Sequence, residues 1–283
     1  MKKAKQVLNK FKNIKTVPHV AIRLTQMISE NTDTMQEFEQ VIKLDPTLVM
    51  RLLELVNSSY YSLRQEINSV AEALVFVGMN NLRNMIVIAA LKHIFENTRE
   101  DEKFSIKALW LHSASTGICS QMISERIFGM KGEDPFLCGI LHDIGMIVEY
   151  QVIQEKFFEV CKAFQPKAKQ INEYEQEIIG TDHTKIGAIL VSDWKIPENI
   201  QSVIKDHHKI NIEILPDSIT GIIRISEYLV SRIGYSELPG AVPLLPKSLI
   251  THFKKNINEY KLIIKELPGE LAKAKEILDL NGK

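Results

Sequence analysis

The 283-residue chain is 45% hydrophobic and 25% charged, with 13 Gly and 10 Pro, which excludes a disordered or fibrous protein and leaves room for one large domain or two ordinary ones. Lys plus Arg and Asp plus Glu are each 35, so the net charge is zero and no basic surface for nucleic acid or anionic lipid is expected. The longest apolar run, Met85 to Leu91, is far short of the ~20 residues that span a bilayer, and Lys10, Lys12 and Lys15 interrupt any signal-type stretch after the basic start, so no membrane segment and a cytoplasmic location are expected.

Apolar residues recur at i, i+3, i+4 and i+7 along almost every segment and strand-like alternation never persists, so the fold class is all-α, a compact irregular helical bundle. In chain order the first predicted helices are 3–13, 18–30, 35–44, 47–57, 69–77 and 80–97. Thr34-Met-Gln-Glu37 and Ser69-Val-Ala-Glu72 fit the capping box, and Asp45-Pro46 closes one helix and opens the next. Leu52, Leu55, Val56, Leu74, Val77, Ile86 and Ile88 fall on the apolar stripes and form the expected core of this lobe. Asn57, Tyr60 and Tyr61 end a helix and are expected either to fix the turn and its packing on the second lobe or to serve as a plain C-cap with core aromatics.

The charged stretch Glu96 to Lys103 separates this N-terminal lobe, 1–100, from a second lobe, 101–235, with predicted helices 105–128, 135–149, 154–164, 170–179, 183–193, 197–208 and 217–233. The segment Gly234-Tyr-Ser-Glu-Leu-Pro-Gly240 then sets off a C-terminal helical extension, 236–283, read as 246–259 and 268–280 and packed on the body through amphipathic faces. Cys119, Cys138 and Cys161 lack metal-type spacing and sit among apolar neighbours, as reduced core thiols do.

Chemistry concentrates in the second lobe, at His112, His142-Asp143, His183 and His207-His208. His142-Asp143 lies within Phe136-Leu-Cys-Gly-Ile-Leu-His-Asp-Ile-Gly145, so an imidazole and a carboxylate project from an otherwise apolar helix, a costly arrangement unless they are bonded or metallated. Any one of these histidines alone reads as a satisfied core residue or a solvated helix end. Together they read as a metal centre for Fe, Mn, Zn or Mg, holding one or two ions with ligands drawn from several helices. Glu175 or Glu177 is placed to orient an imidazole from behind.

The order of these residues is similar to that of the HD superfamily of metal-dependent phosphohydrolases and its HD-GYP phosphodiesterase branch. Pro18, Asp45-Pro46, Arg51-Leu-Leu-Glu-Leu-Val-Asn-Ser-Ser-Tyr-Tyr61, Ile67-Asn-Ser-Val70, Ala73-Leu-Val-Phe-Val-Gly78, Arg83-Asn84 and Glu175-Gln-Glu-Ile-Ile-Gly-Thr-Asp-His183 resemble the HDOD domain, a related bacterial signalling module, over roughly residues 12 to 230. The resemblance implies a helical N-terminal lobe, an HD-like lobe, and a metal set of His112, His142, Asp143, His183, His207 and His208 closed by Glu227. It also implies losses: Met146 stands where active relatives carry a phosphate-binding Lys, Ala108 stands where they carry an upstream Glu, and the Gly-Tyr-Pro signature is missing after the paired histidines. The reading is therefore a signal-transduction regulator without efficient phosphohydrolase activity, acting on signalling proteins. No receiver, kinase or cyclase segment accompanies it, so input and output are expected from other chains or from the C-terminal tail. The alternative is a metal-dependent phosphohydrolase or cyclic-nucleotide phosphodiesterase, acting on a nucleotide or cyclic dinucleotide with Asp143 as its catalytic carboxylate. A basic residue such as Lys185 or Lys205 aimed at the cluster would favour that alternative.

Overall fold

The computed structural model describes residues 2–14, 19–30, 34–57, 63, 65–95, 104–209 and 213–278. Among them are α1 (Lys2–Ile14), α2 (His19–Glu30), α3 (Met35–Lys43), α4 (Pro46–Val56), α5 (Val70–Val77), α6 (Met79–Phe95), α7 (Ile106–Ile127) and α8 (Glu133–Leu141). The chain continues through α9 (Ile144–Val152), α10 (Gln154–Ala163), α11 (Ile171–Ile178), α12 (His183–Asp193), α13 (Glu198–Asp206), α14 (Ile219–Arg232), α15 (Lys247–Lys255) and α16 (Ile257–Leu278). No β-strand occurs among the described residues, and no single described helix is long and apolar enough to cross a membrane.

Local signals explain many of the helix ends. Thr34 caps α3 and Glu37 reaches back to the Thr34 amide at 2.6 Å, closing the box, while Ser69 caps α5 by accepting from the Glu72 amide at 3.2 Å. Asp45 accepts from the Leu48 amide at 3.1 Å at the start of α4. Asn57 pins the following loop with a reciprocal pair, donating to the Ile67 carbonyl and accepting from its amide, both at 2.8 Å. Tyr60, Tyr61, Pro18 and the side chain of Leu55 lie outside the described residues. The boundary predicted at Pro268 is displaced. The break falls at Asn256, and α16 runs through Pro268 because its buried stripe, Tyr260, Ile263, Leu267 and Leu271, stays packed on the second lobe.

Two hydrophobic cores result. Leu24, Met27, Phe38, Ile42, Leu52, Val56, Leu74, Val77, Leu82 and Ile86 fill the first, between α2 and α6. The second, larger one joins α7 to α16, and Ala4, Val7, Leu8 and Phe11 of α1 belong to it, packed against α9 and α12. Among the described residues, α1 thus joins the second core rather than the first: an amphipathic stripe says that α1 is buried but not against which partner. Ile88, expected in the first core, lies in the second with Val87 and Leu91. The helix α6 carries buried apolar groups to both cores and lies between them, its run from Met85 to Leu91 being apolar on all sides. Cys119, Cys138 and Cys161 are buried free thiols, as expected.

The lobes are also joined by polar contacts. The buried Arg83 of α6 pairs with Asp134 in the first turn of α8, Asn84 donates to the Glu133 carbonyl at 2.9 Å, and Asn199 of α13 donates to Asp134 at 3.2 Å. Replacing Asp134 with Ala leaves the Arg83 guanidinium buried without its carboxylate, which should cost about 1–3 kcal/mol. Urea unfolding checks this, and an unchanged midpoint would show that Arg83 finds water instead.

Candidate metal centre

His112 sits in the second turn of α7, whose crossing with α8 is set by glycine: a Cβ on Gly139 would lie 2.5 Å from the Gly117 Cα. That close approach carries His142 to His112. The predicted single helix 135–149 is instead two, broken at His142 and Asp143, which form the C-cap of α8 and the N-cap of α9. The break has a geometric purpose. Neighbours on a continuous helix diverge by about 100°, whereas here His142 Nε2 and Asp143 Oδ2 come within 3.1 Å. His183 opens α12 behind its N-cap Asp182, and the adjacent His207 and His208 occupy the turn after α13, where the helix end again frees neighbours to point one way.

All of these side chains are buried, His208 at 8% exposure being the most open. Each imidazole uses Nδ1 on an acceptor outside the cluster. For His112, His142 and His207 these are the carbonyls of Tyr235, Gly139 and Ile204 at 2.7, 2.8 and 2.8 Å; for His183 it is Glu175 Oε2 at 2.6 Å and for His208 Gln170 Oε1 at 3.1 Å. These acceptors place a proton on Nδ1, so in the neutral rings Nε2 is a bare lone pair. Yet the Nε2 atoms face one another, His112 to His142 at 3.2 Å and His183 to His207 at 3.4 Å. Facing lone pairs repel. Each contact requires a positive charge between the rings, either a proton on one of them or a cation held by both.

Asp143 joins the two pairs. Its Oδ2 lies 3.1 Å from His142 and 3.6 Å from His112, and its Oδ1 lies 3.4 Å from His183 and 3.5 Å from His207. Two ligand groups follow, each with donor atoms within 4.8 Å of one another: His112, His142 and Asp143, and Asp143, His183, His207 and His208. Borderline imidazoles with one carboxylate fit Fe, Mn or Zn in either group.

The electrostatics agree. Burial lowers every imidazole pKa; with help from His142 it holds His112 to about 4, and His207 is likewise held to about 4 although its bond to Asp143 opposes this. At His142 and His183 burial is outweighed by carboxylates, Asp143 raising the first to about 9 and Glu175 and Asp143 the second to about 10. Asp143 is held well below the usual carboxylate range by His142, His207 and His183 despite its burial. Without a cation, protons on His142 and His183 supply the two positive charges that the facing rings demand.

Of the outer residues weighed from sequence, Glu175 does orient His183, accepting from its ring and from its amide at 2.9 Å. Glu177 does not: it is exposed and paired with Lys169 at 2.5 Å. Glu227 of α14 is buried and acts electrostatically on His142, but lies in neither ligand group and its Oε2 has no partner. Lys185 is tied to Asp182 at 2.6 Å and Gln176 at 2.8 Å, and Lys205 is exposed. Met146 is fully buried and apolar. The buried Arg224 has both terminal nitrogens on backbone carbonyls, those of His207 and Leu244. Sequence reasoning missed Gln170, the Tyr235 carbonyl and Glu237, whose Oε2 lies 3.8 Å from His112 Nε2. All three come from loops or a cap, where no periodicity marks a residue as inward.

Comparison with known proteins places the site in context. The HDOD domain profile matches residues 14–210. A curated but uncharacterized protein of Treponema pallidum is 24% identical over 258 residues, covering 89% of this chain, which spans 48% of that protein's length. Among solved structures, a candidate phosphohydrolase from Shewanella amazonensis shares the fold at TM-score 0.70, with 21% identity and 98% of both chains covered. A candidate signal transduction protein from Marinobacter aquaeolei is similar at TM-score 0.74, with 17% identity over 93% of this chain and 59% of that one. An HDOD domain protein of unknown function from Geobacter sulfurreducens is similar at TM-score 0.66, with 21% identity over 93% of this chain and 97% of its own.

Proposed function

We propose that this chain, which belongs to the HDOD domain family, is a metal-binding signalling module whose buried centre serves structure or sensing rather than rapid phosphoester hydrolysis. The observation that carries the reading is the pair of facing imidazole contacts bridged by the two oxygens of Asp143. One ion would be held by His112, His142 and Asp143, and a second by Asp143, His183, His207 and His208. Bound ions of this kind supply Lewis acidity and an activated water when a substrate reaches them. Here the ligands are buried, Met146 offers no charge, Lys185 is committed to Asp182, and Arg224 is spent on carbonyls, so none of these three is poised to grip a phosphoryl group. The exposed helical surfaces are then what signalling partners would read.

The second reading, a metal-dependent phosphohydrolase, is favoured by one feature, a carboxylate shared between two ion positions, as two-metal hydrolases require. Assays of chelator-free, Mn- or Fe-loaded protein on a generic phosphodiester and on cyclic dinucleotides separate the two. We expect turnover at least about a hundredfold below the roughly 1 per second of a competent enzyme. Turnover at that competent rate, abolished by His142→Ala, would replace the regulatory reading with the enzyme.

A further inference from the structure

The loop between α14 and α15 approaches the His112 side of the centre, and its role is not explained by packing. Tyr235 accepts the His112 Nδ1 proton at 2.7 Å, and two residues on, Glu237 enters the same space, its Oε2 lying 3.8 Å from His112 Nε2. Glu237 is 6% exposed and its Oε2 has no hydrogen-bond partner among the described residues. A buried carboxylate oxygen without a donor costs several kcal/mol unless it takes up a proton or meets a cation, and burial with Asp143 and Glu227 raises the Glu237 pKa to about 8. Glu227 is in the same condition, buried with an unpartnered Oε2, and it, Asp143 and Glu237 act on one another electrostatically. Asp143, Glu227 and Glu237 thus make three mutually interacting carboxylates near His112 and His142. On the other side of Asp143, Glu175 is bonded to His183 through Oε2, while its Oε1 is likewise without a partner among the described residues.

We propose that Glu237 is a ligand of the ion at His112, His142 and Asp143, and that binding of this ion pins the 235–241 loop to the centre. The proposal rests on the metal-binding reading above. The three ligands of that group leave a tetrahedral or larger ion incompletely surrounded; Glu237, like Glu227, lies outside the group, but its orphaned oxygen is 3.8 Å from His112 Nε2, so the ion would draw it inward to complete the set. The loop is built to be set in place from within: it begins and ends at glycines with positive φ, Gly234 at 95° and Gly240 at 76°, where the chain reverses. Metal occupancy would then hold the link between the second lobe and α15–α16.

Cobalt(II) titration of the full chain tests this, followed by visible absorption, with metal content by mass spectrometry and hydrogen exchange of amides 235–241 measured with and without Co. We expect the wild type to bind two ions and to protect the loop when loaded. Glu237→Gln, which keeps the shape and removes the charge, should weaken one of the two sites roughly tenfold or more, alter the cobalt spectrum, and abolish the metal-dependent protection. Two ions bound with unchanged affinity, spectrum and protection in Glu237→Gln would overturn the role of Glu237 while leaving the metal centre standing. A wild type that binds no ion would overturn the metal reading itself. If Glu237→Gln does not fold, Glu237→Asp, which withdraws the carboxylate by one methylene, should still weaken one site several-fold, and equal affinity there would overturn the proposal.

Discussion

Asp143→Asn should empty both halves of the centre, whereas His112→Ala should empty one. The asymmetry follows from geometry: the two oxygens of Asp143 face different imidazole pairs, so a single side chain belongs to both ligand groups. An amide of the same shape keeps the fold but presents one neutral oxygen and one N–H donor, and the donor repels a cation. Metal content of chelator-free protein should fall from two ions per chain to almost none for Asp143→Asn and to one for His112→Ala. Thermal unfolding gives an independent reading, because an ion bound only by the folded state stabilises it by about 2.7 kcal/mol at a hundred times its dissociation constant. The wild-type melting temperature should rise with added metal, and that of Asp143→Asn should not. Full metal content in Asp143→Asn would show that the two imidazole sets bind without a bridge.

Gly145→Ala should be the most damaging single methyl in the second lobe. A Cβ at this position would lie 2.0 Å from the His183 carbonyl oxygen and 2.7 Å from the His183 Cα, and both are backbone atoms that no rotamer change can move aside. Either α9 and α12 separate or the variant fails to fold. Separation would carry Asp143 away from His183, two groups now 3.4 Å apart. We expect a loss of about 3 kcal/mol or more in stability, read from urea unfolding, together with loss of metal from any protein that folds. A variant with wild-type melting and two bound ions would mean that the helices part without cost.

The same glycine shows why parts of this protein were legible from sequence and others were not. Periodicity and capping chemistry act within a turn or two, so the existence of most helices, the Thr34 box and the Ser69 cap could be read directly. The histidine set could be read because adjacent polar residues in apolar helices demand an explanation. The break at His142 and Asp143 could not, because the apolar period runs through it from Leu141 to Ile144, Ile147 and Val148 and only the tertiary convergence on the site interrupts the helix. Glu237 was hidden for the opposite reason. It lies in an aperiodic loop, and what makes it notable is a neighbour 125 positions away in the chain, His112, 3.8 Å from its oxygen. The assignment of α1 to the second core is likewise a long-range fact, since its stripe of Ala4, Val7, Leu8 and Phe11 would suit either lobe.

The position of α6 bears on how the chain can be divided. Its Leu82, Met85 and Ile86 belong to one core and its Val87, Ile88 and Leu91 to the other, while α1, at the opposite end of the same stretch of chain, belongs wholly to the second. The path therefore leaves the larger body, builds the smaller one, and returns along a helix that serves as a party wall between them. A cut placed before α6 strips the smaller body of one side, and a cut placed after it takes three buried apolar residues from the larger. No excision at a single point yields two clean fragments, so the two cores are one inheritable unit and shorter versions of it would have to rebuild a wall before they could stand alone.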